Sequence, residues 1–209
     1  MKTLRRFLAL LLLLGMTSLH AEVMAGRDYK VLATPQPTSS GDKVEVLEFF
    51  FYGCSHCFHL HGPLSSWEKT MPQDVSLEFV PVIFRDSWEP MARTFYALDA
   101  LGMREKLHDD LFQAWNVLGI DLSDEEKISA FVAKRGVDAG KFDAAYNSFA
   151  LAGKVARSNQ LVRAYGVRGT PTIAVDGKYV ITGLEPEDTI RVLNEVIKIA
   201  RKERRAGKH

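Results

Sequence analysis

Val44 to Tyr52 reads V-E-V-L-E-F-F-F-Y, apolar at nearly every position and rich in β-branched and aromatic side chains. A strand covered on both faces has this pattern, because neither face is left to water. Gly53 breaks the run. Residues 55 to 71 then take a helical pattern, with Phe58, Leu60 and Leu64 available to a core. Pro63 removes one backbone donor inside that stretch, so a kink is expected near residue 62, and Pro72 ends the helix. Val75, Leu77 and Phe79 alternate along a second strand over 75–83. Two strands joined by a helix make a βαβ unit.

From Trp88 to Gly153 the pattern turns wholly helical. Met91, Phe95 and Leu98 share one face of a helix stopped by Gly102. Leu107, Leu111 and Trp115 share a face of the next, stopped by Gly119. Ser123 to Glu126 has the form of a capping box opening a helix to Arg135. Phe142, Tyr146 and Phe149 continue at helical spacing, and such aromatic stripes are expected in the core. Another helix covers 151–165. Two strands, 172–175 and 178–182, then flank Asp176-Gly177, a strong signal for a two-residue hairpin turn. Pro186 opens the last helix, whose apolar face carries Ile190, Leu193, Ile197 and Ala200. Residues 22–43 are irregular apart from a short strand at 29–32. The order is βαβ, a helical block, then αββα, which predicts a mixed α/β sheet with helices on both faces and an inserted helical subdomain.

The N-terminus stands apart from this fold. Lys2, Arg5 and Arg6 precede the apolar run Phe7 to Leu14, and a small, polar tail follows. That is the layout of an export signal. Eight apolar residues are too few for a bilayer span, which needs about 20. Cleavage is expected after Ala21, with Ala25 as the alternative. Without residues 1–21 the chain holds 24 basic against 26 acidic side chains. A balance so close to neutral argues against a nucleic-acid partner. The basic C-terminal run from Lys198 to Lys208 reads as a solvated helix end, where cations meet the negative end of the dipole.

All the cysteine in the chain is spent on Cys54 and Cys57. A bridge between them closes so small a loop that it would constrain the unfolded chain little, which favours a chemical over a structural role. At a helix start, Cys54 lies by unpaired N–H groups and the positive dipole end, and both favour a thiolate. Cys57, one turn further in, is expected to be less exposed. The pair therefore supplies a nucleophilic and a resolving sulfur. His56 between them reads as a stabiliser of the Cys54 thiolate or as an exposed turn residue. A stable thiolate is also a good leaving group, which makes the disulfide form oxidising. Phe58 excludes the C-x-x-C-H pattern of haem attachment. Cys54, His56, Cys57, His59 and His61 are dense enough to raise a metal site, but no second C-x-x-C or H-x-x-x-H completes four ligands. No metal and no cofactor are expected.

Glu48 is the odd residue of its strand, since a carboxyl among apolar neighbours is costly to bury. It reads either as a proton acceptor for Cys57 under the cysteines or as an acid facing out of the sheet. Pro171, in R-G-T-P-T before a strand, reads as a cis proline of a tight turn or as an ordinary trans one.

Taken together, E-F-F-F-Y-G-C-S-H-C, the helical block, G-T-P-T and the last helix resemble the thioredoxin superfamily, and most closely its DsbA-type bacterial periplasmic oxidoreductases. The resemblance covers nearly all of the chain beyond residue 21. It implies a thioredoxin-like sheet domain in two parts, 22–86 and 153–209, with the helical insertion over 87–152. It implies that Cys54 is the nucleophile, Cys57 its buried partner, His56 the thiolate stabiliser and Glu48 the buried acid beneath them. Pro171 would be the cis proline packed by the disulfide, and Thr170 would offer backbone to an extended substrate.

The implied activity is a periplasmic dithiol oxidase that introduces disulfides into unfolded or reduced exported proteins as a monomer. A quinone-linked membrane partner of the DsbB type would reoxidise it. A reductase or isomerase of the same fold is the alternative, and a metallochaperone a more distant one. Two positions depart from the family pattern. Ser55 stands where Pro is common, and Thr170 where Val is frequent. Both tune the redox potential.

Overall fold

The computed structural model describes residues 22–207, so the expected export signal lies outside the described residues. A five-stranded sheet is built from β1 (Lys30–Val31), β2 (Val44–Phe50), β3 (Val75–Pro81), β4 (Thr172–Val175) and β5 (Tyr179–Thr182), in the order β1-β5-β4-β2-β3. β2 runs parallel to β3 and antiparallel to β4, and β5 pairs antiparallel with both β4 and β1. All seven residues of β2 are buried, because neighbours flank it on both edges and helices cover both faces. The β4–β5 hairpin turns at Asp176 and Gly177, which both have positive φ, as a two-residue primed turn demands.

Among the described residues seven α-helices accompany the sheet. They are α1 (Ser55–Glu68), α2 (Glu89–Ala100), α3 (Arg104–Asn116), α4 (Glu125–Ala133), α5 (Ala139–Tyr146), α6 (Phe149–Ala164) and α7 (Pro186–Ala206). Alternate residues of β2 part between two cores. Val46 and Phe50 join α1, α3 and α7 in the larger one. Leu47 and Phe49 meet Leu161, Tyr165 and Val167 across the other face. α6 serves both cores, with Leu151 and Val155 in the first and Leu161 in the second. It therefore runs unbroken through residues 152 and 153, where the sequence placed the end of the insertion.

Local expectations met different fates. α1 continues through Pro63 to Glu68. The helix after Ser123 is capped by Asp124, whose carboxylate accepts from the Lys127 N–H, so the cap is displaced by one residue and, with Lys127 at the third position, the expected capping box does not form. Phe142 and Tyr146 are buried, but Phe149 is 94% exposed. Ser148 caps α6 immediately before it, and the new helix starts with its own phase. A stripe carried across a helix boundary keeps no common face. The C-terminal basic run is paired at the surface, Lys198 with Glu195, Arg201 with Asp74 and Arg204 with Asp176.

Candidate active site

β2 ends at Phe50, and Phe51 to Gly53 form the turn into α1. The Cys54 N–H closes that turn on the Phe51 carbonyl at 3.0 Å. Cys54 is the N-cap of α1, in extended backbone, and no side chain satisfies the first N–H groups of the helix. Those groups are therefore left to the sulfur. Cys57, one turn on, is fully buried. Both thiols are free.

The two sulfurs are electrostatically opposed. A hydrogen bond from the Cys57 thiol is the largest influence on Cys54, and the N–H groups of Cys57 and His56 add to it. Against the cost of partial burial they bring Cys54 down to about 5. Burial pushes Cys57 far above the ordinary thiol range, and the bond to Cys54 and the nearby Glu48 carboxyl push the same way. At neutral pH the pair holds one charge, and it sits on the accessible sulfur.

Thr170 and Pro171 come from the far side of the chain, at the start of β4. Their peptide bond is cis. Cys54 Sγ lies 3.3 Å from the Thr170 carbonyl oxygen, to which it donates only while protonated. A cavity of about 300 Å³ opens beside them, lined among others by His56, His59, Pro171, Ile181 and Leu184. His56 is exposed on its rim, and it is the backbone N–H of His56 that acts on the sulfur.

Glu48 is 2% exposed, so it does not face out of the sheet. By the period of β2 it shares the face of Val46 and Phe50, toward the side of the sheet that α1 covers. Its Oε1 has no hydrogen-bond partner. Burial, with the nearby Glu68 and Cys54 charges, raises its carboxyl to about 8. It therefore carries a proton at pH 7 within electrostatic reach of both cysteines.

Sequence reasoning missed three residues. His108 on α3 is 5% exposed and its Nδ1 lies 2.7 Å from the Tyr52 hydroxyl. Burial lowers it to about 3, with the His61 and Arg104 charges adding to the effect. Its signal was present, since it stands on the apolar face of α3 one turn before Phe112. Asn116, the last residue of α3, donates to the Tyr52 carbonyl at 2.8 Å. Trp88 stacks on Phe51 with centroids 3.9 Å apart. No local pattern announces the last two contacts. His59 is exposed, and the His61 ring stacks on Phe112. Among the described residues no three His, Cys, Asp or Glu side chains group to hold a metal ion.

A C-x-x-C at the start of a helix, fed by the central strand of a mixed sheet and faced by a cis proline, defines a thiol:disulfide oxidoreductase of the thioredoxin fold. A family model described as the DSBA-like thioredoxin domain matches residues 59–193, a span that begins just past the cysteines. Matches to whole relatives take in the site as well. The chain is 34% identical to the thiol:disulfide interchange protein DsbA of Pseudomonas aeruginosa over 204 residues, 96% of this chain and 95% of that one. It is 40% identical to the DsbA of Burkholderia cepacia over 156 residues, 74% of each chain. The crystal structure of Pseudomonas aeruginosa DsbA superposes with a TM-score of 0.83 at 34% identity, covering 90% of this chain and 97% of that one. The chain belongs to the DsbA-like thioredoxin family.

Proposed function

We propose that the chain is a periplasmic oxidase of exported proteins, working through the Cys54–Cys57 disulfide. The observation that carries this reading is the asymmetry of the pair: Cys54 half-buried at the helix cap and facing Thr170, Cys57 sealed beneath it. A client thiolate attacks Cys54 Sγ, and the Cys54–Cys57 bond breaks. Cys57 leaves with the electron pair and takes a proton, for which the neutral Glu48 carboxyl, within electrostatic reach, is the donor in this reading. A second client thiolate attacks its own sulfur in the mixed disulfide and releases Cys54. That sulfur leaves readily because its thiolate is stable. The client gains one disulfide, and the enzyme holds the two electrons as a thiol and a thiolate.

The cis turn at Thr170-Pro171 and the cavity beside it support an extended client chain lying across the sulfur. The His56 imidazole, on the rim of that cavity, is kept in this reading as a thiolate stabiliser, beside the backbone N–H of the same residue that already supports the charge. Relatives named thiol:disulfide interchange proteins support client proteins as substrates, and a DsbB-type membrane quinone reductase as the acceptor of the two electrons. Export through residues 1–21 accords with an oxidising compartment, where disulfides persist. A monomer with the sheet domain in two parts around the helical insertion suffices for this chemistry.

Thiolate absorbance followed against pH in the reduced protein tests the reading. Cys54 should be mostly ionised at pH 6, and an ordinary thiol midpoint near 8.5 would overturn it. Equilibration with glutathione then separates an oxidase, which ends mostly reduced at low glutathione, from a reductase, which stays oxidised.

A further inference from the structure

The turn that carries Cys54 is held by one helix of the insertion. Asn116 Nδ2 donates to the Tyr52 carbonyl at 2.8 Å and to the Phe112 carbonyl at 2.9 Å. The Tyr52 ring packs edge-on against His108 and Phe112, and its hydroxyl meets His108 Nδ1. Trp115 comes so near Gly53 that a Cβ there would lie 2.8 Å from the indole nitrogen. Every one of these groups belongs to α3. The side chain of Tyr52 is thus anchored several times over, while its carbonyl is held by Asn116.

That carbonyl belongs to the peptide joining Tyr52 to Gly53. Gly53 has no Cβ to restrict rotation, so the plane of this peptide has more freedom than one between two substituted residues. Either orientation of that peptide keeps the bond between the Cys54 N–H and the Phe51 carbonyl, so the turn stays closed in both. They differ in the backbone torsions at Tyr52 and Gly53, and so in how the chain enters α1 at Cys54. We infer that Asn116 is a positioning residue for Cys54: by holding the Tyr52 carbonyl, it fixes the active-site turn in the one conformation that stabilises the thiolate. Asn116 touches neither sulfur. It acts from the insertion, through a backbone oxygen two residues before the nucleophile. One function of the helical block on this account is to set the reactivity of a cysteine that the sheet domain carries.

The inference rests on the reading of Cys54 as the ionised nucleophile. The test uses the full mature chain. Asn116→Leu keeps the bulk and loses the donor. Asn116→Ala loses both and serves where the leucine variant does not fold. Phe142→Leu, in the buried face of α5 and away from the turn, supplies a loss of stability with no effect on the carbonyl.

A pKa rise of about half a unit is expected for Cys54 in the Asn116 variants, with a roughly threefold shift of the glutathione equilibrium toward a less oxidising couple. The inference fails if a folded Asn116 variant keeps both wild-type values. It also fails if Phe142→Leu shifts them equally, since the change would then follow stability alone. A wild-type Cys54 that titrates as an ordinary thiol sinks the thiolate reading instead, whatever the variants do.

Discussion

Replacing Glu48 with glutamine should change how stability depends on pH. In the folded protein the carboxyl is held neutral, because burial among Val46, Phe50 and their neighbours makes the anion costly. Its pKa is raised from 4.5 to about 8. The unfolded chain exposes the carboxyl and lets it ionise in the ordinary way. Between these two values the folded state binds a proton that the unfolded state has lost. The stability tied to this group is thus whole below pH 4.5 and is lost as pH rises through 8. At about 1.4 kcal/mol per pKa unit, wild type should lose roughly 3–4 kcal/mol relative to Glu48→Gln between pH 5 and pH 8. That is a large part of the usual stability of a domain, about 5–15 kcal/mol. Urea unfolding followed by tryptophan fluorescence measures it. The Cys54–Cys57 pair is kept oxidised so that neither thiol titrates. The difference between the two proteins should favour the variant more and more as pH rises. Parallel curves from pH 5 to pH 8 would refute the argument, for they would mean that Glu48 ionises in the folded protein as it does in water.

His108 gives the opposite slope. Its folded pKa of about 3 lies below the ordinary value, so the unfolded chain takes up a proton first as pH falls. The stability tied to it is whole above about pH 6.5 and drains toward pH 3 at about 1.4 kcal/mol per unit. His108→Phe should flatten acid unfolding in that window. Denaturant midpoints at pH 4 and pH 7 check this, and an unchanged slope would show that the imidazole is protonated when folded. Gly53→Ala forces a Cβ to within 2.5 Å of the Phe51 ring. Overpacking of this kind costs about 1–3 kcal/mol, so the thermal midpoint should fall, and an unchanged midpoint would show that the Phe51–Trp88 stack yields freely.

What each chain segment does was written locally wherever one residue type has one dominant use. The apolar run of β2, the Gly53 break and the cysteine spacing place the reactive sulfur at a helix start without any tertiary knowledge. Asp176-Gly177 fixes the hairpin because the positive φ values at both positions suit few other residue pairs. Phe149 marks the limit of such reading. Its spacing from Phe142 and Tyr146 is helical, but Ser148 ends one helix phase and begins another, so it points to solvent.

Glu48 shows a second limit. A carboxyl in a buried strand has two faces open to it, and only the packing of α1 against one of them decided between a solvated acid and a proton held under the cysteines. Thr170 and Pro171 were recognisable as a turn, yet 116 residues separate Thr170 from Cys54. Their meeting depends on the antiparallel pairing of β4 with β2. Asn116 lies further still from any local rule, because a lone amide at a helix end gains its meaning from the carbonyl that another segment brings to it. By itself the sequence determined the chemistry on offer: a dithiol, a helix start and a buried strand. Tertiary structure decided what holds the charge on Cys54 and what seals Cys57 beneath it. Hydrogen bonding and desolvation act over a few ångströms, and only the folded chain brings those groups that close.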